Sequence, residues 1–181
     1  NLEKIILPDN VKSIGYSIFQ GCENLKEVSL PSDITCIPEG AFKGCSSLSE
    51  ISIPSNVTEI KQEAFSNCNI QSLTIPDKVE TIGGCALLGE NVKSIKLGKS
   101  VKEMGPSIYD KSGMPPLYAP SYYWSLSEII VAPENKLFSS YDGILYDKNR
   151  TTLITCPPAK TECIIPEGVE VVCTECFNKA N

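Results

Sequence analysis

The chain has 181 residues, 41% hydrophobic and 21% charged, with a formal net charge of −6. This is the composition of a folded domain and not of a disordered one; 16 scattered Lys and Arg argue against a nucleic-acid partner, which needs clustered cations. There is no histidine, which removes the commonest general base and metal ligand and argues against an enzyme, and no apolar run approaches the ~18 residues of a membrane span.

The first three segments repeat with a period of 23 residues, opening at Leu2, Leu25 and Leu48. Leu2-Glu3-Lys4-Ile5-Ile6-Leu7-Pro8 returns as Leu25-Lys26-Glu27-Val28-Ser29-Leu30-Pro31 and again as Leu48-Ser49-Glu50-Ile51-Ser52-Ile53-Pro54. Further repeats open near 70, 92, 126 and 160. A fixed period of this size is the signature of a stacked array. Alternation of apolar and polar residues at each opening predicts a short strand with one buried face, stopped by the proline that follows. A second apolar pair (Val11/Ile14, Ile34/Ile37, Val57/Ile60, Val79/Ile82, Val101/Met104) predicts a short extended segment on the opposite side of the coil. A third pair (Ile18/Phe19, Ala41/Phe42, Ala64/Phe65, Ala86/Leu87, Ile108/Tyr109) suits short helical or 3₁₀ turns. Gly21, Gly44 and Asn67 then mark a turn at positive φ.

The pattern breaks twice. Residues 111–125 are a proline- and aromatic-rich insertion. The repeat resumes at Leu126, with Ile129 and Val131, and is interrupted again over 132–162, where Asp142–Tyr146 and Thr151–Ile154 predict a β-hairpin around Asp147-Lys148-Asn149-Arg150. The array resumes at Cys163-Ile164-Ile165-Pro166, followed by Val169, Val172 and Phe177. All 181 residues therefore form one domain. Residue 1 already lies inside a repeat and Asn181 stops inside another, as expected of a segment of a longer chain.

The run Leu-x-x-Ile-x-Leu-Pro-x-x-Val-x-x-Ile followed by Ala-Phe-x-Gly-Cys resembles the BspA-like leucine-rich repeat family. Asn135–Tyr146, with Lys148–Ile154 and Ile164–Val169, resembles that family's hairpin insertion. The resemblance spans nearly the whole chain except 111–125; Glu90 and Ala180 depart from it, each standing where a cysteine is expected. It implies an α/β leucine-rich-repeat solenoid, a right-handed superhelix with a parallel sheet on one face and short extended and 3₁₀ or helical turns on the other, mostly β and loop. It further implies a surface or secreted protein of host-associated bacteria or parasitic protists, associated with adhesion, and it carries over no catalytic residue.

The candidate chemistry is sparse. Cys22, Cys45 and Cys68 share one repeat position and read as a ladder of buried thiols. Cys173-Thr174-Glu175-Cys176 is a lone C-x-x-C, with Cys176 at a core position; Cys36, Cys85 and Cys173 read as the more exposed thiols. No phosphate loop, nucleophile elbow or calcium loop occurs, and neither a cofactor nor a metal is expected. Asn56-Val57-Thr58 and Asn149-Arg150-Thr151 match the N-glycosylation pattern, which matters only in a eukaryote.

The outward strand positions form two rows: Ile6, Ser29, Ser52, Thr74, Lys96, Ile130 and Lys4, Glu27, Glu50, Ser72, Ser94, Glu128. Glu27, Ser29, Glu50, Ser52, Ser72, Thr74, Ser94 and Lys96 are thus candidate binding residues, on a face that is small, polar and without an aromatic anchor. The aromatics lie instead in the first insertion, at Tyr118, Tyr122, Tyr123 and Trp124, stiffened by Pro115, Pro116 and Pro120. These rings either cover core exposed where the repeat breaks or form a binding loop. The expectation is a non-enzymatic binding or adhesion module for an extracellular protein or glycan, with no nucleic acid and no membrane insertion; the rival is a structural spacer carrying another domain.

Overall fold

The computed structural model describes residues 1–87, 89–105, 125–173 and 176–177. In chain order the strands are β1 Lys4–Ile6, β2 Glu27–Ser29, β3 Cys36–Ile37, β4 Glu59–Ile60, β5 Ser72–Thr74, β6 Thr81–Ile82, β7 Ser94–Leu97, β8 Glu103–Met104, β9 Glu128–Val131, β10 Phe138–Tyr141, β11 Ile144–Asp147, β12 Thr152–Thr155 and β13 Val171–Val172. Each repeat makes one turn of a solenoid, because a strand-sized apolar stripe cannot be buried alone and must stack on its neighbours.

Two parallel ladders run along the coil. On one side β1 pairs with β2, and β5, β7 and β9 form a second block. The registers run Ile5↔Val28 in the first and Leu73↔Ile95↔Ile129 in the second. On another side β3, β4, β6 and β8 pair in order, aligning Ile37, Ile60, Ile82 and Met104 into one buried column. This is the expected second extended segment. It is absent only from the first repeat, where Val11 and Ile14 are half-buried and unpaired as strand.

The third side is made of hydrogen-bonded turns. No helix is present among the described residues, so the molecule is β and loop. The turns bond from rung to rung, Phe19 N–H donating to Ala41 O at 2.9 Å, Phe42 to Ala64 at 2.8 Å and Phe65 to Ala86 at 2.8 Å. A helix would turn those N–H groups back into its own segment; a stack of rungs satisfies them on the neighbour. The rings follow the same spacing: Phe19–Phe42 and Phe42–Phe65 stack with centroids 5.3 and 5.5 Å apart. Gly21, Gly44 and Asn67 hold positive φ as the sequence requires. A second such column, Ser17, Gly40, Glu63 and Cys85, has glycine at only one of its four positions.

The continuous core runs from Phe19 to Ile154. Each fully buried large side chain contributes roughly 1.5–3 kcal/mol before the entropy of ordering is subtracted. Cys45 and Cys68 lie inside this core, their thiols donating to Phe19 O and Phe42 O at 3.1 Å; Cys22 is half-buried against it. The thiol ladder is a packing feature.

The second insertion is larger than a hairpin. β10, β11 and β12 form an antiparallel meander, and β13 adds in parallel to β12. Buried Asn135 clamps the meander to the solenoid. Its Nδ2 donates to Gly98 O (3.1 Å) and Val101 O (3.0 Å), while its Oδ1 accepts from Leu137 N and Phe138 N, both at 2.9 Å. The expected resumption at Cys163–Pro166 does not form a strand. Ile164 and Ile165 are 66% and 42% exposed, because the next paired segment, β13, extends the meander instead of the solenoid ladder.

Candidate functional site

The strand face that carries the candidate rows is open in its middle. At the first boundary Lys26 N–H donates to Glu3 O (2.8 Å) and Leu7 N–H to Ser29 O (3.0 Å). The equivalent bonds reappear between the fourth and fifth repeats, where Lys93 N–H donates to Gln71 O (2.7 Å) and Ile75 N–H to Lys96 O (2.8 Å). Among the described residues, no backbone hydrogen bond joins residues 49–53 to either neighbour. The expected strand at Ile51–Ile53 is therefore not part of a ladder, although the same repeat stays bonded on its other sides through Cys36↔Glu59 and Phe42 N–H to Ala64 O.

Charge gives a physical reason. In the outward row Glu27 is followed by Glu50 on the next rung, and like charges directly opposite destabilise strand pairing. Glu27 is already paired, on its other side, with Lys4 at 2.7 Å. The result is an open groove of about 770 Å³, lined by Lys26, Glu27 and Val28 of the second repeat, Ser49, Glu50, Ile51 and Ser52 of the third, and Gln71 and Ser72 of the fourth. Val28 and Ile51 are half-buried there, whereas their counterparts Leu73 and Ile95 are fully buried. Lys26 pairs with Glu3 at 3.0 Å. Glu50 has no ion pair among the described residues.

Of the residues singled out from sequence, Glu27, Glu50, Ser52 and Ser72 meet in this groove, all exposed. Ser29 and Thr74 lie exposed beside it on β2 and β5, and Lys96 is exposed further along the face on β7. Ser94 is a correction: it is buried, and its Oγ has no partner among the described residues. It sits on the central strand between Ser72 and Glu128, where a short side chain is covered by its neighbours. Tyr118, Tyr122, Tyr123 and Trp124 lie outside the described residues. The groove's floor, Val28 and Ile51, and its edges, Ser49 and Gln71, were not singled out. The signal that could have found them is the consecutive Glu27 and Glu50 in one row.

The groove's two carboxylates, Glu27 and Glu50, are both exposed. Among the described residues no group of three or more Cys, Asp or Glu could hold a metal ion, and no helix is long and apolar enough to cross a membrane. Such a face offers shape, two apolar contacts and, among the described residues, one carboxylate without an ion pair and backbone groups without a partner.

Parallel rungs of 22–23 residues with a strand on one side and turns on another define a leucine-rich-repeat solenoid. Residues 1–115 match the model of the BspA type leucine rich repeat region, in six copies, and the chain belongs to that family. Its fold is shared by a leucine-rich repeat protein from Eubacterium ventriosum, 27% identical with a TM-score of 0.77 over 99% of this chain and 45% of that one. A leucine rich cell surface protein from Faecalibacterium prausnitzii is 26% identical, with a TM-score of 0.54 over 93% of this chain and 50% of that one. The pneumococcal vaccine antigen PcpA, 20% identical with a TM-score of 0.65 over 99% of this chain and 53% of that one, has the same fold. The chain thus spans about half the length of these structures. No curated protein matches.

Proposed function

We propose that this chain is a non-enzymatic binding module of a bacterial surface or secreted protein, and that its contact is the strand face centred on the third repeat. The observation that carries the reading is the groove itself. Three adjacent rungs leave backbone N–H and C=O groups unpaired, over an apolar floor of Val28 and Ile51 and beside the unpaired Glu50. That combination suits an extended protein segment, which supplies main-chain hydrogen bonds, an apolar side chain and a cation for Glu50. The similar protein from Faecalibacterium prausnitzii, described as a cell surface protein, supports the location. Tyr118, Tyr122, Tyr123 and Trp124 are proposed as a second contact, since aromatic side chains are the usual anchors of an interface.

The test is an array of immobilised extracellular proteins and glycans, probed with the wild-type chain, with Glu50→Lys, with Ser52→Trp, and with a Tyr123→Ala/Trp124→Ala double variant. Glu50→Lys reverses the free charge and Ser52→Trp fills the groove. Each is expected to weaken binding to a protein ligand by about tenfold or more, at wild-type thermal stability. An array without a ligand, or full binding by both groove variants, overturns the reading.

A further inference from the structure

Exposed large apolar side chains gather in two places. In the first repeat they include Ile6, Tyr16 and Ile18, and around β13 they include Ile164, Val171, Val172 and Phe177. Val172 stands at the repeat position of Ile37, Ile60 and Ile82, and Phe177 at that of Phe42 and Phe65. Those five are at most 2% exposed, since the following rung covers them, whereas Val172 is 48% and Phe177 39% exposed. One edge of β13 pairs with β12, and its other edge has no strand partner among the described residues. An unpaired edge that carries apolar side chains is a template for another strand.

The bonds between rungs state what that strand must bring. Around the β3–β4 pair, Thr58 N–H donates back to Thr35 O at 2.8 Å and Lys61 N–H to Ile37 O at 2.9 Å; in the turns, Phe19 N–H donates forward to Ala41 O at 2.9 Å. At the same repeat positions the β13 rung offers Glu170 O, Val172 O and Phe177 N–H, and the first repeat offers Lys12 N–H, Gly15 N–H and Ile18 O. None of these six has a backbone partner among the described residues, and the two sets are complementary. Charge follows the same register. Ion pairs between rungs join equivalent positions, as in Lys4–Glu27 at 2.7 Å, Lys26–Glu3 at 3.0 Å and Lys102–Glu80. By that rule Glu162 falls opposite Lys4 and Glu170 opposite Lys12; Glu167 opposite Asp9 is the like-charged exception.

We infer that a second copy of this chain docks its first repeat on the β13 rung, so that the solenoid continues from one molecule into the next. Residues 11–14 of the incoming copy pair with β13 as β4 pairs with β3, and its Phe19 stacks on Phe177 as Phe42 stacks on Phe19. Lys4 and Lys12 keep Glu27 and Asp33 on one side and gain Glu162 and Glu170 on the other. The alternative, two β13 rungs face to face, sets Glu162, Glu167 and Glu170 against the same three of the other copy, like charge against like. A head-to-tail contact of this kind does not close on itself and builds open chains of molecules.

The experiment is sedimentation velocity of the 181-residue chain over a range of concentrations, at low ionic strength and with a reductant to exclude crosslinking through the cysteines. The average mass is expected to rise with concentration past that of a dimer. Val172→Lys, at an exposed position, is expected to weaken association by about tenfold or more, with circular dichroism showing an unchanged fold. Two charge-reversed variants, Glu162→Lys/Glu170→Lys and Lys4→Glu/Lys12→Glu, should each associate poorly alone and regain the wild-type behaviour when mixed. A chain that stays monomeric at every concentration leaves this rung to a different occupant and overturns the inference. Growth that stops at a dimer, full association by Val172→Lys, or a mixture of the charge-reversed variants that stays monomeric overturns it as well.

Discussion

Asn135 shows how much one side chain can carry in a solenoid. It is the only fully buried polar side chain whose every amide hydrogen and both carbonyl lone pairs have partners among the described residues. It joins the fifth repeat, at Gly98 and Val101 between β7 and β8, to the start of the meander at Leu137 and Phe138. Asn135→Ala strips two carbonyls and two N–H groups of this partner in a place water does not reach. It is expected to cost at least about 3 kcal/mol in denaturant unfolding, a loss that a surface asparagine such as Asn149 would not produce. Ser17 and Glu63 illustrate the opposite economy: both hold φ near the left-handed region, at 50° and 55°, where the equivalent Gly40 is unstrained. Glu63 is partly compensated by its 2.7 Å ion pair with Lys43.

At the scale of elements, the repeats are alike in sequence but not in pairing. β5, β7 and β9 form a closed ladder over fully buried Leu73, Ile95 and Ile129, whereas residues 49–53 leave theirs open over half-buried Ile51. Protection from hydrogen exchange reports local opening. The amides of residues 49–53 are therefore expected to exchange at least tenfold faster, roughly, than those of 94–97. Equal protection would mean that the ladder is closed in solution and the groove is not a standing feature. The cross-rung ion pairs, such as Lys12–Asp33 at 2.6 Å, are exposed and decide little, since such pairs contribute about 0–1 kcal/mol each.

For the molecule as a whole, the absence of histidine removes the usual side-chain titration between about pH 5 and 8, and the pH response moves to the alkaline side. Burial is the first cause that pushes Cys156 from its ordinary 9.0 to about 12, Cys176 from 9.0 to about 11, and Tyr146 from 10.0 to about 12. Above about pH 9 the unfolded chain has lost protons that the folded chain retains, so the contribution of these groups is complete below that pH and declines as pH rises toward their folded values. Under reducing conditions, unfolding at about pH 10.5 is expected to show stability lower than at about pH 7.5 by on the order of 2 kcal/mol per buried thiol. Replacing Cys156 by Ala should shrink that difference; an unchanged difference would place its origin elsewhere.

The sequence by itself determined the solenoid. Its 22–23-residue period, the strand-then-proline openings and the Phe and Cys columns are local patterns repeated in phase, and each repeat can bury its stripe in only one way, against its neighbour. The outward rows followed from the same alternation, so Glu27, Glu50, Ser52 and Ser72 were legible as surface. Only the tertiary structure decided which surface is special. Pairing between rungs depends on what faces what: residues 49–53 leave the face open beside Glu27, Ser94 between Ser72 and Glu128 is covered, and β13 joins the meander and not the ladder. The gathering of Cys156, Cys163, Cys173 and Cys176 around one small core belongs to the same class. It arises from a chain reversal in the one region where the repeat, and with it the power of periodicity to predict contacts, gives out.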